Sequence, residues 1–295
     1  MNFLICFFFI AAFFATINGE GCGEDCECGI SKNIGYYEEF NQNKNRILGG
    51  KNSDPQDWPF IVYLDGPGCT GSIINNQWIL SAAHCDSNQL TVIINGESYK
   101  VEEFIAHENY TDGDDDDSND TGLNDIMLVK LAEPLVFSEN ISSICLLQNL
   151  TVPPMEVAAA AGYGIRFIRV KTLNDTYKGS ELSSNETIYE ENNLLRETPL
   201  LIRDFEYCKI NISTEGADTV ICAGGANHGT TPGDSGGPLL VIRDHRWVQI
   251  GVTAFGDVMP VPGDLLAVSD IGFYTKISAF CDWIAEKTSN EVTCQ

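Results

Sequence analysis

The hexapeptide Gly233-Asp234-Ser235-Gly236-Gly237-Pro238 sets a serine among glycines, immediately before an apolar run. A serine hydroxyl is a weak nucleophile at neutral pH and needs a neighbouring base, itself oriented by an acid. The glycines let backbone N–H groups approach a developing oxyanion without interference from a Cβ. A base stands in Ser81-Ala82-Ala83-His84-Cys85, where small residues lead into His84 and a cysteine follows to anchor it. An acid stands in Asn124-Asp125-Ile126-Met127-Leu128, where a carboxylate opens an apolar run. Buried there, Asp125 would be costly unless paired, for instance with a ring N–H of His84. These three residue types together can carry out nucleophilic acyl transfer.

Short strands must hold them. Apolar, strand-like runs recur at 60–64, 72–74, 78–80, 90–94, 126–129, 238–242 and 247–252. Turn residues such as Asn75-Asn76, Asn95-Gly96 and Asp244-His245 separate them. That alternation predicts an all-β fold, an antiparallel sandwich or barrel. A helix is expected only at the end, where Ile277, Phe280 and Ile284 share one face of a segment reaching Lys287. Residues 165–195, rich in Asn, Thr, Glu and Ser, read as a long loop.

In the chain order His84, Asp125, Ser235, these pieces resemble the chymotrypsin/trypsin family of serine peptidases. The resemblance implies two antiparallel β-barrels, about 47–150 and 151–295, with the reactive residues in the cleft between them and a C-terminal α-helix. It implies that Ser235 attacks the scissile carbonyl and that His84 takes its proton and passes it to the leaving amine. Asp125 would orient the imidazole, and the N–H groups of Gly233 and Ser235 would form the oxyanion hole. Residues 233–237 also fit the Gly-x-Ser-x-Gly elbow of lipases and esterases, but those enzymes place the acid and histidine after the serine. Only His245 follows Ser235, within an expected hairpin turn.

The resemblance extends to Arg46-Ile47-Leu48-Gly49-Gly50, which looks like the family's activation junction. A cut after Arg46 would free the Ile47 amine to pair with Asp234 and arrange the oxyanion hole. A pro-segment of 20–46 would then precede a peptidase domain of 47–295. The resemblance also implies bridges between Cys69 and Cys85 and between Cys208 and Cys222. Cys145 would tether the pro-segment through Cys22, Cys26 or Cys28, and Cys281 and Cys294 could pair near the C-terminal helix.

Some positions depart from the family. Thr231 stands where a disulfide cysteine is usual, and the segment between Gly256 and Gly272 has no cysteine to match it. That segment, 257–271, is expected to be a long and mobile loop. Ala254 replaces a serine that usually helps hold the acid, while Phe255 and Tyr163 replace tryptophans. Gly229, flanked by Thr230, occupies the pocket-base position that is Asp in trypsins. With Gly256 and Gly272 leaving the pocket walls open, the expected preference is for Phe, Tyr or Leu rather than Lys or Arg. Asp257, Asp264 or Asp270 is the alternative source of a basic preference.

Composition sets the compartment. Residues 2–15 are almost wholly apolar, shorter than a membrane span, and small residues Ala15 and Gly19 accompany their end. They read as a secretory signal peptide of 1–19. Its removal takes Cys6 and leaves ten of the 11 cysteines, an even number that suits disulfides rather than metal. Sequons at Asn109, Asn119, Asn140, Asn149, Asn174, Asn185 and Asn211 fit an exported, glycosylated surface. A formal charge of −25 makes nucleic acid and anionic membranes poor partners. The run Asp112-Gly113-Asp114-Asp115-Asp116-Asp117 reads as a solvated loop without the ligand spacing of a Ca²⁺ site. The expected protein is a secreted, monomeric endopeptidase made as a zymogen, with no cofactor and no metal. Its expected partners are protein or peptide substrates, an activating trypsin-like protease and protein inhibitors. The rival class is a homologue that binds partners without cutting them.

Overall fold

Apolar runs too short for helices can bury their side chains only by pairing, and they pair antiparallel around two cores. The computed structural model describes residues 28–42, 50–111, 122–168, 188–190, 194–208, 218–225, 228–260 and 268–295. After a two-residue strand β1 (Lys51–Asn52) come β2 (Ile61–Asp65), β3 (Cys69–Ile73), β4 (Trp78–Ser81) and β5 (Thr91–Ile94). Then follow β6 (Glu97–Tyr99), β7 (Val101–Ala106) and β8 (Met127–Leu131). Strands β2 to β8 form one curled sheet in the order β6-β5-β2-β3-β4-β8-β7. Asn95 and Gly96 join β5 to β6 with φ of 50° and 82°, the left-handed pair that a tight hairpin turn requires. Every residue of β3 and β4 is buried, so β4 reads as a continuous rather than an alternating apolar run.

The second half adds β9 (Cys145–Leu146), β10 (Val157–Gly162), β11 (Arg166–Ile168), β12 (Ile188–Glu190) and β13 (Arg196–Arg203). It continues with β14 (Val220–Gly224), β15 (Pro238–Arg243), β16 (Arg246–Pro260) and β17 (Val268–Lys276). Strands run β13-β10-β15-β16-β17-β14, and β14 pairs back with β13, so six strands close into a barrel. The first sheet is thus a half-barrel and the second a full one. β1 joins β13, and β9 joins β16 in parallel, so both lie on the second sheet despite their early positions.

Three expectations need correction. The first concerns helices: besides the C-terminal α3 (Cys281–Lys287), there are α1 (Ile34–Gln42) and a short α2 (Phe205–Cys208). Among the described side chains of α1, Tyr37 is buried and Ile34 packs partly against the core, a short apolar signal. Tyr37 packs edge-on against Trp58 and Trp247, and its hydroxyl donates to Glu197. The second concerns 257–271, whose ends are not a loop: Asp257, Val258, Met259 and Pro260 pair with Ile271, Asp270, Ser269 and Val268 as a ribbon continuing β16 and β17. Backbone pairing there needs no apolar face, so the acidic residues hid it. The third concerns 165–195, where β11 and β12 pair as a two-stranded ribbon.

Among the described residues, four disulfides staple the fold: Cys28–Cys145, Cys69–Cys85, Cys208–Cys222 and Cys281–Cys294. Cys28 is therefore the partner of Cys145, while Cys22 and Cys26 lie outside the described residues. So do residues 1–19, the acidic run 112–117, and the sequons Asn119, Asn174, Asn185 and Asn211.

Candidate active site

Strand β4 delivers Ala82 into a single helical turn, 83–85, that carries His84. Cys85 closes this turn and is bridged to Cys69 of β3. Asp125 arrives at the start of β8, after Asn124 at φ 57° bends the chain inward. Its Oδ2 lies 2.7 Å from His84 Nδ1, and its Oδ1 accepts the His84 backbone N–H at 3.0 Å. The carboxylate is 3% exposed and the imidazole 30%. Such a pair fixes the tautomer with the proton on Nδ1 and leaves Nε2 as the ring's basic nitrogen.

The hold on Asp125 was not legible in the sequence. Ala254 offers it no hydroxyl; instead the Thr275 hydroxyl on β17 donates to the Asp125 carbonyl at 2.8 Å. Asp125 is thus gripped through its main chain, from the other sheet, and through the backbone N–H of His84.

Ser235 sits on a turn bent by Gly233 at φ 101° and Gly236 at φ 77°. Both angles suit glycine, and both glycines are also hemmed in. A Cβ on Gly233 would meet the Tyr163 carbonyl, and one on Gly236 would overlap the Ser81 hydroxyl and the Thr70 backbone. The Thr70 N–H donates to the Ser235 carbonyl at 2.8 Å, and the Gly236 N–H donates to Thr253 at 2.8 Å. The serine turn is therefore pressed onto β3 and β4, which lead to His84. Among the described residues, neither the Gly233 nor the Ser235 N–H has a hydrogen-bond partner. Two neighbouring donors of this kind can receive an oxyanion.

Asp234, between them, is half-buried, with its carboxylate turned onto the backbone of Thr231 and Gly164. Burial pushes its carboxyl pKa up; N–H bonds from Thr231 and Gly164, the Thr231 hydroxyl and the charge of Arg196 oppose that rise. The N–H bonds measure 2.9 and 2.8 Å. Gly162 and Gly164 are obligatory here, because a Cβ on either would run into the Asp234 carboxylate. Thr231, in the place of a family cysteine, also donates its hydroxyl to the Ile165 carbonyl at 2.8 Å. Arg46 and Ile47 lie outside the described residues.

Gly229 and Thr230 are half-buried on the chain between β14 and the serine turn. Gly256 and Gly272 are direct cross-strand partners. Gly256 is exposed, whereas Gly272 is buried with the Tyr274 ring where a Cβ would go. Phe255 stacks on Phe273 with centroids 4.3 Å apart. Beside Gly229, the His228 ring lies 3.1 Å from the Thr198 hydroxyl, and burial lowers its pKa. Asp257 and Asp270 are held in strand register, and Asp264 lies outside the described residues. His245, the one histidine after Ser235, sits in the β15–β16 turn against Glu38.

A model of the trypsin family matches residues 47–284. Transmembrane protease serine 11G of Mus musculus is 31% identical over 265 residues, covering 83% of this chain and 56% of that protein. This chain thus spans little more than half of that relative's length. Among solved structures, neuropsin, a serine protease expressed in the limbic system of mouse brain, matches with a TM-score of 0.60 at 23% identity. The match covers 82% of this chain and all of that one, a likeness of fold.

Proposed function

The chain belongs to the trypsin family, its domain is of the serine-endopeptidase type, and on that premise we propose a secreted endopeptidase, made as a zymogen, that cuts after large apolar residues. The observation that carries the catalytic reading is the 2.7 Å His84–Asp125 pair beside a turn offering Ser235 and two N–H groups without a partner among the described residues. Ser235 Oγ adds to the scissile carbonyl carbon while His84 Nε2 accepts its proton. The carbonyl oxygen becomes an oxyanion held by the N–H groups of Gly233 and Ser235. The imidazolium, stabilised by Asp125, then gives its proton to the leaving amine as the C–N bond breaks. Water repeats the sequence on the acyl-enzyme, releasing the acid and restoring Ser235.

Activation follows from Asp234. A buried carboxylate whose pKa is pushed up by burial gains from any cation that reaches it. The Ile47 α-ammonium freed by a cut after Arg46 is that cation in this reading, and an exogenous trypsin-like protease makes the cut. Gly229, with no carboxylate, and the aromatic Phe255 favour an apolar side chain in the pocket. Strand register in the 256–260 ribbon supports this, since Asp257 and Asp270 are not on a free loop.

The test is a cleavage profile. The chain and a Ser235→Ala control are nicked after Arg46 with immobilised trypsin and offered a peptide library. Cleavage after Phe, Tyr or Leu, absent from the control, is expected. Cleavage after Lys or Arg would overturn the pocket reading, and none above the control would favour a binding homologue. Among the described residues no helix is long and apolar enough to cross a membrane. Because a relative is named transmembrane, secretion is checked separately. Product in the medium starting at Glu20 supports it; retention in the membrane pellet counts against it.

A further inference from the structure

Thr70 is fully buried on β3, one residue after the disulfide-bonded Cys69. A buried hydroxyl is costly unless bonded, so its partners are informative. Its Oγ1 donates to the Gly233 carbonyl at 2.7 Å and accepts the Tyr163 N–H at 3.0 Å. Its backbone N–H donates to the Ser235 carbonyl at 2.8 Å, and its carbonyl accepts the Ser81 hydroxyl at 2.9 Å. One residue of the half-barrel therefore holds both carbonyls that flank Asp234.

The side chain adds something the backbone cannot. The N–H of Gly233 belongs to the peptide before its Cα, and the carbonyl held by Thr70 belongs to the peptide after it. Only the φ and ψ of a glycine at 101° separate the two, and glycine restrains neither angle itself. Fixing the carbonyl removes one of those freedoms and narrows where the N–H can point. We propose that the Thr70 hydroxyl is a positioning group for the oxyanion hole, orienting the Gly233 N–H without touching substrate. The Tyr163 N–H completes the link: it ties the same hydroxyl to the Gly162–Gly164 stretch on which Asp234 rests. The Thr70 hydroxyl thus bridges the oxyanion turn and the floor of the activation site.

This role rests on the peptidase reading above, and one assay separates the two. Thr70→Val keeps shape and removes the hydroxyl; Thr70→Ser restores it. In the activated chain, Thr70→Val should lower kcat about tenfold with KM little changed, less than the loss of an oxyanion donor outright. Affinity for a peptide boronate, whose tetrahedral adduct on Ser235 borrows the oxyanion donors, should fall by the same factor. Thr70→Ser should recover both. Equal kcat and boronate affinity in Thr70→Val and wild type would overturn the role. So would equal losses in the Val and Ser variants, which would point to packing of the methyl group. If Thr70→Val does not fold, Thr70→Ala removes the hydroxyl without added bulk and is read the same way. Failure of both to fold beside a normal Ser variant would make the hydroxyl structural and sink the proposal. Turnover by wild type over Ser235→Ala is read in the same plates; its absence would defeat the peptidase reading, and the Thr70 role with it.

Discussion

The two halves of the candidate site are held by different kinds of bond. The His84–Asp125 side rests on wholly buried strands, on the Cys69–Cys85 disulfide and on a carboxylate bonded twice to one histidine. The Ser235 side rests on left-handed glycines, two threonine hydroxyls and a buried carboxylate that desolvation disfavours. A disulfide contributes about 2–4 kcal/mol, a single neutral hydrogen bond about 1. The first side is set once the chain folds. The second is the softer one, and a modest change in charge or bonding can rearrange it. A switch built into this molecule therefore belongs beside Asp234 rather than beside Asp125.

Breaking the acid–base side should have the largest effect. Asp125→Asn should lower kcat by about 10⁴ at neutral pH while leaving thermal unfolding nearly unchanged, because the wrong imidazole tautomer is then favoured. A fall of less than about a hundredfold would mean that Asp125 does not set the tautomer. Next comes the staple. Replacing Cys69 and Cys85 together by alanine should cost about 3 kcal/mol in urea unfolding and spare much of the activity of the molecules that remain folded.

The softer side predicts a change of opposite sign. Burial raises the Asp234 pKa, so the ionised carboxylate weakens the uncut chain above that pKa and the penalty fades as the pH falls through it. Asp234→Asn should therefore raise the melting temperature of the uncut chain at pH 8, with the gain shrinking in acid, yet abolish activity after the cut. A lower melting temperature at pH 8 would show that the Thr231 and Gly164 bonds outweigh burial. The smallest effect concerns His228. Its pKa is lowered by burial, so its contribution is fully present above the unfolded value of about 6.5 and is lost as the pH falls below it. His228→Gln should flatten that acid limb, read as a smaller difference in melting temperature between pH 5 and pH 7.

Much of this comparison was open to inspection in the sequence, but unevenly. The strands around β2 to β5 declared themselves because apolar runs alternate with turn residues such as Asn95-Gly96. His84, Asp125 and Ser235 stood out because each sits in a local setting that suits its chemistry. The groups that hold them did not. Thr70 and Gly233 are 163 residues apart, and Thr275 and Asp125 are 150 apart, so no local pattern links them. Helix α1 hid because Tyr37 alone is buried among its described side chains, and the 256–260 ribbon because its acidic residues resemble those of a loop.

The Cys28–Cys145 bridge has a practical corollary for anyone handling the protein. An affinity tag or fluorophore fused ahead of Cys28 would stay with the peptidase domain across a cut after Arg46 for as long as that bridge is oxidised. It would come away only on reduction and denaturation, since Tyr37 is also packed between Trp58 and Trp247. A purification scheme that relies on tag loss to report processing would register nothing, whereas a reducing gel would show two bands.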